Sequence, residues 1–579
     1  METINSFKGY DKVEPGQEAE FKRKSRRRCL VLGVSFAVLI AVIIGTAVGV
    51  TSHKKKTDSH SGDGGNLSPA ATLKSICSVT LHPDSCFSSI SAMEKSNTSD
   101  PETLFQLSLQ VVMENLSKVK DLPKKLSVEA NDNISKSALN VCTTVLDDAI
   151  DSLSDTLSTV NGSSGRKVLS KSTIDDLKTW LSSVITNQQT CIDSLKETNS
   201  TNGILEALQT ATKNSTEFAS NSLAIVTKFL STLSKFDLPN NRKLLGYQMD
   251  GRYPEWLSSG DRKLLQSNPT PDVTVDAGGT GDVTTIGAAV AKIPEKSTKR
   301  FVIYVKAGTY KERINLSKKL WNVMIYGDGM GKTVITAAVS IADGVTTFDT
   351  STFAVTGNNF IAKGITFRNT AGAAKHQAVA FRSGSDMSAY YQCEFDAFQD
   401  TLYSHSNRQF YSDCVIAGTI DFIFGNAASV FQGCNILPRQ PLPNQFNTIT
   451  AQGKMDPNQN TGISIQKCSI KAKDAVTAKT YFGRPWKPYS VTVIMQSSVS
   501  SVVDPTGWIS WVVGTDPPKT IFYGEYLNTG PGSGVSGRVK WSGYFPALSS
   551  AQAQKYTVGS LIQGSVWLDS ALSPFTVGL

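Results

Sequence analysis

Residues 390–436 read YYQCEFDAFQDTLYSHSNRQFYSDCVIAGTIDFIFGNAASVFQGCNI, and they contain one short pattern three times. An aromatic residue lies three positions before each of Cys393, Cys414 and Cys434. Two positions after these cysteines the residues are Phe395, Ile416 and Ile436. The cysteines are twenty or twenty-one residues apart, and a similar unit surrounds Cys468. A period near twenty with strand-forming side chains suits stacked coils, whereas a propeller blade needs about twice that length. We therefore expect an all-β right-handed parallel β-helix.

Two aspartates recur with this repeat. Asp400 lies seven residues after Cys393, and Asp421 lies seven residues after Cys414. In a β-helix they would occupy equivalent places on adjacent coils, about 4.8 Å apart. Two carboxylates at that range cannot both ionise freely, so one can act as a nucleophile while the other holds a proton as general acid. The same spacing also fits an aspartate ladder on a solvated or calcium-binding turn.

Amide side chains accompany the aspartates. Gln399 precedes Asp400, and Gln377 lies about one coil earlier, so two N–H donors could face a developing oxyanion. His376 and His405 fall in this region without an evident nucleophile as partner, and we interpret them as ordinary surface or core residues. A conventional serine triad is therefore not expected.

The chain before this region has a different pattern. Residues 68–238 show apolar positions three and four apart, which predicts an all-α four-helix bundle without catalytic residues. Cysteine spacing suggests disulfides in a secreted chain, and three pairs are expected: Cys77 with Cys86, Cys142 with Cys191, and Cys414 with Cys434.

Residues 239–265 form a polar boundary between the two regions. They contain the string Arg242-Lys243-Leu244-Leu245 and, twenty residues later, Arg262-Lys263-Leu264-Leu265. Basic pairs in an exposed linker resemble processing sites, although two amphipathic turns would give the same strings. We favour processing because the string recurs inside a boundary.

The N-terminus predicts the compartment. Residues 1–29 form a basic tail, 30–50 are apolar and long enough for a single transmembrane signal-anchor helix, and 51–67 form a linker. The heavier positive charge before the apolar segment directs the rest of the chain into the secretory lumen, and a cleaved signal peptide is the alternative. Sequons for glycosylation support the lumen and occur at Asn66, Asn97, Asn115, Asn133, Asn161, Asn199, Asn214 and Asn315.

The net charge of +9 favours an acidic partner. No basic run is dense enough for a nucleic-acid footprint, so nucleic acid is not expected as a partner. An acidic polymer with spaced charges fits the sequence better, and a solvated basic face without any partner would look the same.

Several ordered motifs then identify a family. The second half of the chain resembles plant pectin methylesterases through the blocks Gly308-Thr309-Tyr310-Lys311-Glu312, Gln377-Ala378-Val379-Ala380, Gln399-Asp400-Thr401-Leu402, Asp421-Phe422-Ile423-Phe424-Gly425 and Gly483-Arg484-Pro485-Trp486. Residues 266–579 would then be the catalytic domain. Residues 68–238 resemble the inhibitor-like pro-region of that family, mainly in cysteine spacing and helical pattern.

The resemblance implies a role for each matching residue. Asp421 would attack the methyl-ester carbonyl of a galacturonate, and Asp400 would protonate the departing methoxide and then activate water. Gln399 would stabilise the oxyanion with help from Gln377. Arg484 would hold Asp421 ionised through a charge-assisted bond, although it could be a plain salt bridge.

Two further residues would contact the substrate. Trp486 would form a wall on which a sugar stacks, and Thr347 is a candidate substrate contact. Both have simpler readings, as a core tryptophan and as an ordinary strand residue.

The family also implies partners and location. The substrate would be methyl-esterified homogalacturonan, cleaved to pectate and methanol without metal or cofactor. A protease would cut the linker of a membrane-bound precursor, releasing a monomeric enzyme into the cell wall, and pectin methylesterase inhibitor proteins are possible partners. A pectin lyase or polygalacturonase, and a non-enzymatic inhibitor module, are the competing hypotheses.

Overall fold

A computed structural model describes residues 68–162, 169–198, 203–232, 269–568 and 575–579. Its second half consists of three parallel sheets. The first sheet contains β1 Val273–Val275, β2 Phe301–Val305, β5 Val323–Gly327, β8 Ile361–Lys363, β11 Ser388–Tyr391, β14 Arg408–Ser412, β17 Ala428–Gln432, β20 Gly462–Gln466, β23 Val491–Met495, β25 Phe522–Tyr526 and β26 Tyr544–Phe545.

The second sheet contains β3 Gly308–Lys311, β6 Thr333–Ala337, β9 Thr366–Asn369, β12 Glu394–Asp396, β15 Val415–Gly418, β18 Asn435–Pro438, β21 Ser469–Ile470 and β24 Ser498–Val499. The third sheet contains β4 Ile314–Leu316, β7 Phe353–Val355, β10 Phe381–Ser383, β13 Leu402–Ser404, β16 Ile423–Gly425, β19 Asn447–Gln452 and β22 Thr480–Gly483. Short helices occupy Ile286–Val290, Ser550–Ala553, Val558–Leu561 and Gly564–Trp567.

The chain visits the three sheets in turn and then starts the next coil. After β11, β12 and β13, strand β14 pairs in parallel with β11, so that Tyr390 lies beside Tyr411. Tyr411 lies beside Phe431 in the same way. The sequence repeat of twenty or twenty-one residues is therefore one coil, and the prediction of a parallel β-helix is confirmed.

Inward-facing side chains of equal position stack along the axis. The rings of Tyr390 and Tyr411 are 4.5 Å apart, and those of Tyr411 and Phe431 are 4.4 Å apart. Adjacent strands are about 4.8 Å apart, so aromatic residues in register meet face to face inside the coil. These stacks form much of the buried core.

A left-handed residue marks the bend between the first and second sheets. The residue before each repeat cysteine has a positive φ, namely 51° at Gln392, 53° at Asp413, 68° at Gly433 and 54° at Lys467. Such values are uncommon outside glycine. Their recurrence shows that the coil geometry imposes this turn on whatever residue stands there.

The four cysteines of the repeat are buried and free, so the expected Cys414–Cys434 disulfide is wrong. Each thiol follows one of these bends and points into the core. The Sγ of Cys414 donates to the carbonyl oxygen of Tyr390 at 3.4 Å, and the Sγ of Cys434 donates to that of Tyr411 at 3.4 Å. The repeat uses cysteine as a small apolar residue that satisfies its own weak donor.

The region before the β-helix is helical. Its α-helices are Pro69–Cys77, Pro83–Ser91, Pro101–Val119, Leu122–Ser127, Asn133–Gly162, Lys171–Lys196 and Ile204–Ala224, and a π-helical turn covers Ile225–Leu230. Disulfides join Cys77 to Cys86 and Cys142 to Cys191, which are two of the three expected pairs.

Two compact units divide the chain. The first contains the described residues of 1–120, 150–181 and 209–242, whose described regular elements are helices, and its core includes Phe105 and Leu116. The second contains the β-helix together with residues 121–149 and 182–208. These two helical stretches, which we call the helical cover, pack on the β-helix within the second unit.

In the described part of the chain, no helix is both long enough and apolar enough to span a bilayer. The expected fold, in which a single transmembrane helix came first, is corrected accordingly to a helical region followed by a parallel β-helix. Residues 30–50, to which that helix was assigned, lie outside the described residues.

Other sequence predictions also concern residues outside the described ranges. The processing strings of the linker 239–265, together with Asn66 and Asn199, lie outside the described residues. Five of the remaining sequons have exposed asparagines, at Asn97, Asn133, Asn161, Asn214 and Asn315. Asn115 is half-buried, and its amide donates to the carbonyl oxygen of Val111.

Candidate active site

Asp400 and Asp421 lie on adjacent coils, at the bend between the second and third sheets. Each precedes a strand of the third sheet by two residues, and those strands pair with Leu402 beside Ile423. The amide of Asp400 donates to the carbonyl oxygen of Ile420 at 3.0 Å, which brings the two bends together. Both aspartates have left-handed backbones, with φ of 62° and 52°. Such conformations often occur at functional sites.

Arg484 binds Asp421 directly. Its Nε lies 2.9 Å from Oδ1 and 3.1 Å from Oδ2, and its Nη2 lies 2.6 Å from Oδ2. The hydroxyl of Thr448 donates to the same Oδ1 at 2.6 Å and accepts from the amide of Asp421 at 2.8 Å. The Asp421 carboxylate is therefore fixed by three side-chain donors in a buried place, where such contacts are strong.

Asp400 has the opposite environment. Burial raises the pKa of its carboxyl well above the usual value, and the nearby charge of Asp421 raises it further. Arg484 opposes this shift only through its charge. A carboxylate fixed by a guanidinium thus stands beside a carboxyl group that retains its proton, which is the division that nucleophile and general acid require.

The two glutamines lie on neighbouring coils beside this pair. The amide of Ala378, directly after Gln377, donates to the carbonyl oxygen of Gln399 at 3.2 Å. Gln377 is 9% exposed, and Gln399 is half-buried directly before Asp400. The coil repeat therefore places Gln377 and Gln399 on adjacent coils, and the direction of their side-chain amides toward the aspartates stays a prediction.

Aromatic rings line the surface next to the aspartates. Trp486 lies 6.3 Å from Phe424 and 6.4 Å from Trp511, measured between ring centroids. Tyr403 stacks on Phe424 at 4.2 Å. A Cβ on Gly453 would lie 2.9 Å from the Trp486 ring, so only glycine leaves room for this ring. We call Tyr403, Phe424, Trp486 and Trp511 the aromatic row. Flat apolar surfaces of this kind suit the faces of sugar rings.

Thr347 begins a short 3-10 helix, Thr347–Thr350, and is not the strand residue of the simpler reading. It is buried, and its amide donates to Oε2 of Glu197 at 2.7 Å. Glu197 belongs to the helical cover. Burial raises the pKa of its carboxyl to about 7, and the charges of Asp193 and Asp349 contribute.

Further contacts tie the helical cover to the same face. Nζ of Lys487 lies 2.6 Å from Oδ1 of Asp193, and the hydroxyl of Thr190 lies 2.8 Å from Nε2 of His405. Apolar residues of the cover share one buried cluster with Tyr403, Phe424 and Trp486. In the described chain, the aromatic row is therefore covered by a segment of the same unit.

The two histidines have no catalytic arrangement. His405 is buried, and burial together with the charge of Arg382 lowers the pKa of its imidazole to about 3, so the ring is neutral. Its other nitrogen, Nδ1, lies 3.1 Å from the hydroxyl of Ser406. His376 is exposed on the surface with a φ of 62°.

Sequence reasoning missed several residues of the site. Tyr403 could have been found, because it occupies the position in its coil that Phe424 occupies in the next. Thr448 and Trp511 lie on later coils, where the twenty-residue repeat is lost. Glu197 belongs to the other region of the chain, and no motif connects it with the β-helix.

Within the described ranges, no three His, Cys, Asp or Glu residues converge in a way that could hold a metal ion.

Two family models match this chain. The model described as Pectinesterase matches residues 272–565, and the model described as Plant invertase/pectin methylesterase inhibitor matches residues 71–225. The first range contains the β-helix with both aspartates, and the second contains most of the helical region.

Similar proteins cover the chain almost completely. It is 55% identical to Pectinesterase 1 of Arabidopsis thaliana and 52% identical to Pectinesterase 3 of Phaseolus vulgaris, with 98% and 99% of each chain covered. Among solved structures, Pectin methylesterase from Carrot is 52% identical with a TM-score of 0.51. That match covers 99% of the carrot chain and 54% of this one.

Proposed function

The chain belongs to the pectinesterase family and is a carboxylic-ester hydrolase, and from this premise we propose that Asp421 and Asp400 catalyse the removal of methyl groups from pectin. The observation that carries the proposal is the contrast between the two carboxyl groups. Asp421 is held by Arg484, whereas burial and the negative charge of Asp421 raise the pKa of Asp400 and keep it protonated.

The first half of the reaction forms a covalent intermediate. An Oδ of Asp421 attacks the carbonyl carbon of a methyl galacturonate, and the amide of Gln399, assisted by Gln377, donates to the resulting oxyanion. Collapse breaks the bond to methoxide, which takes the proton of Asp400 and leaves as methanol. Asp421 is then joined to the sugar by an anhydride bond.

The second half restores the enzyme. Asp400, now ionised, accepts a proton from water as that water attacks the anhydride carbonyl. Collapse releases the galacturonate carboxyl group and the Asp421 carboxylate, and Asp400 again carries a proton. One ester and one water give one acid and one methanol, so neither metal nor cofactor enters the balance.

The surrounding residues orient the polymer. Trp486 offers a stacking surface next to Asp421, with Trp511 and Phe424 extending it. Thr347 contributes a backbone amide that Glu197 occupies in the covered state. Methyl-esterified homogalacturonan in the cell wall is the substrate, which agrees with the family and with the basic charge of the chain.

The helical cover inhibits the enzyme until the chain is cut in 239–265. Support comes from the contacts of Glu197, Thr190 and Asp193 with the face that carries the aspartates. While these contacts last, a polymer cannot lie across the aromatic row. A protease acting on the basic strings of the linker would permit release, and free inhibitor proteins could bind the same face afterwards.

Methanol release tests the function. The processed enzyme is obtained by inserting a site for a specific protease within 239–265, cutting the full chain and removing the helical part. It should release methanol from highly methylated pectin, and Asp421→Asn should release none. Asp413→Asn is the matched control, because Asp413 has an almost identical φ of 53° but lies exposed at the other bend.

The outcomes separate the hypotheses. Equal release from Asp421→Asn and from the parent would remove Asp421 from its role. Shortened or unsaturated oligomers without methanol would favour a depolymerase. Full activity of the uncut chain, with the substitutions Arg242→Ala, Lys243→Ala, Arg262→Ala and Lys263→Ala, would contradict inhibition by the cover.

A further inference from the structure

Arg382 lies next to the aromatic row, beside Tyr403, and takes no part in the chemistry described above. It is the central residue of β10, in register with Tyr403 of the next coil, which is itself in register with Phe424. The preceding residues in register, Phe381 and Leu402, are fully buried in the core. Since side chains alternate along a strand, Arg382 faces outward beside Tyr403 and Phe424.

The guanidinium of Arg382 lacks an ion-pair partner among the described residues. It is 5% exposed, and its Nε is buried without a hydrogen bond. The guanidinium carbon lies 3.4 Å from the centre of the Phe348 ring. Asp349 and Asp148 influence it only through their charge, and the carboxylate of Asp349 accepts from the hydroxyl of Ser137 at 2.9 Å.

This arrangement is unusual for a charge. Burying a guanidinium costs free energy unless carboxylates or other acceptors compensate it, and buried arginines are nearly always paired. The flat ring of Phe348 holds the plane of the group and leaves its N–H fork unengaged. Such a fork matches the two oxygens of a carboxylate.

The position of Arg382 relative to the aspartates defines its partner. Arg382 lies one coil before Asp400 and pairs with Tyr403. Because Tyr403 is three residues after Asp400, Arg382 is also displaced by three residues along the chain direction. With about 4.8 Å per coil and about 3.3 Å per residue, the Cα atoms of Arg382 and Asp400 are roughly 11 Å apart. That is too far for the reacting ester and suits a neighbouring sugar of the same polymer.

We propose that Arg382 binds the free carboxylate of a galacturonate that has already lost its methyl group, next to the sugar whose ester is being cleaved. The inference rests on the proposed function and applies once the helical cover has left. A methyl ester has one carbonyl acceptor and no charge, so it cannot satisfy the fork. Arg382 thus makes the enzyme prefer esters beside de-esterified sugars, which produces blocks of free acid.

The test compares two substrates on the processed enzyme. For each variant, kcat/KM for methanol release is measured on partially de-esterified and on fully methylated pectin. The parent should prefer the former, and Arg382→Gln should lower the ratio about tenfold, as expected for loss of a charged hydrogen bond. Arg368→Gln is the matched control, because Arg368 pairs with Asp396 on the second sheet.

A second variant and a second readout protect the test against misfolding. Arg382→Lys keeps the charge without the fork and should give an intermediate ratio, and polygalacturonate should inhibit both variants less than it inhibits the parent. Thermal unfolding of each variant is measured alongside. A ratio and a polygalacturonate inhibition that stay at the parental values in both variants would overturn the proposal.

The failure of this inference differs from failure of the proposed function. Methanol release by the parent with equal losses on both pectins in the Arg382 variants would assign Arg382 a structural role and leave the esterase standing. Absence of methanol release by the parent from every pectin would contradict the esterase itself.

Discussion

Arg484 forms a bidentate ion pair with Asp421, with Nε 2.9 Å from Oδ1 and Nη2 2.6 Å from Oδ2. Only 16% of the arginine side chain and 7% of the aspartate side chain are exposed. A pair this buried is costly to break, because one charge would remain without compensation. The contact therefore contributes to the fold and, in the proposed reaction, keeps the Asp421 carboxylate oriented for attack.

Arg484→Lys should lower kcat about ten- to a hundredfold, since an ammonium cannot reproduce the two-point contact. The measurement is the initial rate of methanol release from highly methylated pectin by the processed enzyme. Arg368→Lys serves as control, because its partner Asp396 also contacts Arg439 and Lys473. If Arg484→Lys retained parental kcat, the orienting role would be wrong.

Asp400→Asn should abolish turnover and stabilise the full chain at neutral pH. Because the pKa of Asp400 is raised in the folded state, its contribution to stability is fully present below the unfolded value of 3.8 and is lost as pH rises through the folded pKa. Asparagine cannot ionise and tolerates the left-handed backbone. Thermal melting at pH 3 and pH 8 checks this.

The difference in melting temperature between Asp400→Asn and the parent should be near zero at the lower pH and positive at the higher one. Asp413→Asn, the same substitution at the exposed bend, is measured as the control. A variant that melts below the parent at pH 8 would contradict the burial of a protonated Asp400. Activity of the parent should likewise fall on the alkaline side, because the general acid loses its proton there.

Binding of the helical cover should weaken with rising pH through Glu197. Its pKa is about 7 when docked, beside Asp193, Asp349 and Asp400, against 4.5 for a free glutamate. The contribution of Glu197 to the binding free energy of the cover is therefore fully present below pH 4.5. About 3 kcal/mol of it is lost by pH 7, which is roughly a hundredfold in affinity. Size-exclusion chromatography of the cut chain at several pH values measures the fraction still bound.

Glu197→Gln should remove most of this dependence, since glutamine keeps an acceptor for the Thr347 amide and carries no charge. Glu206→Gln, on an exposed position of the helix Ile204–Ala224, is the control for the same substitution elsewhere on the cover. Identical pH curves for the Glu197 variant and the parent would show that another group governs release.

Thiol titration checks the cysteine correction. The processed enzyme contains Cys393, Cys414, Cys434 and Cys468 and should show four thiols in denaturant without reductant. In the native state it should show none, because all four are buried, and burial raises the pKa of Cys393 to about 12. A count of only two thiols after unfolding would show that the Cys414–Cys434 disulfide exists and that the correction is wrong.

The β-helix could be predicted because its information is local and periodic. One spacing around Cys393, Cys414 and Cys434 defines the coil length, and that length alone brings Asp400 next to Asp421. The disulfide error has the same origin. Cα atoms of adjacent strands are about as far apart as those of bonded cysteines, so spacing cannot distinguish a thiol stack from a bridge.

Other parts of the site depend on contacts across long stretches of chain. Thr448 reaches Asp421 after the coil has been lengthened by the loop before β19, so the repeat no longer indicates its place. Glu197 and Thr347 are 150 residues apart in sequence, and only the folded unit brings them together. Periodicity within either region has no bearing on such a contact.

The helical cover and the face it covers are parts of one polypeptide. A tethered segment acts at an effective concentration in the millimolar range, whatever the amount of protein in the compartment. Occlusion in the uncut chain therefore does not depend on expression level. The proposed cut in the linker would convert the contact into an ordinary bimolecular equilibrium, in which dilution favours the open enzyme.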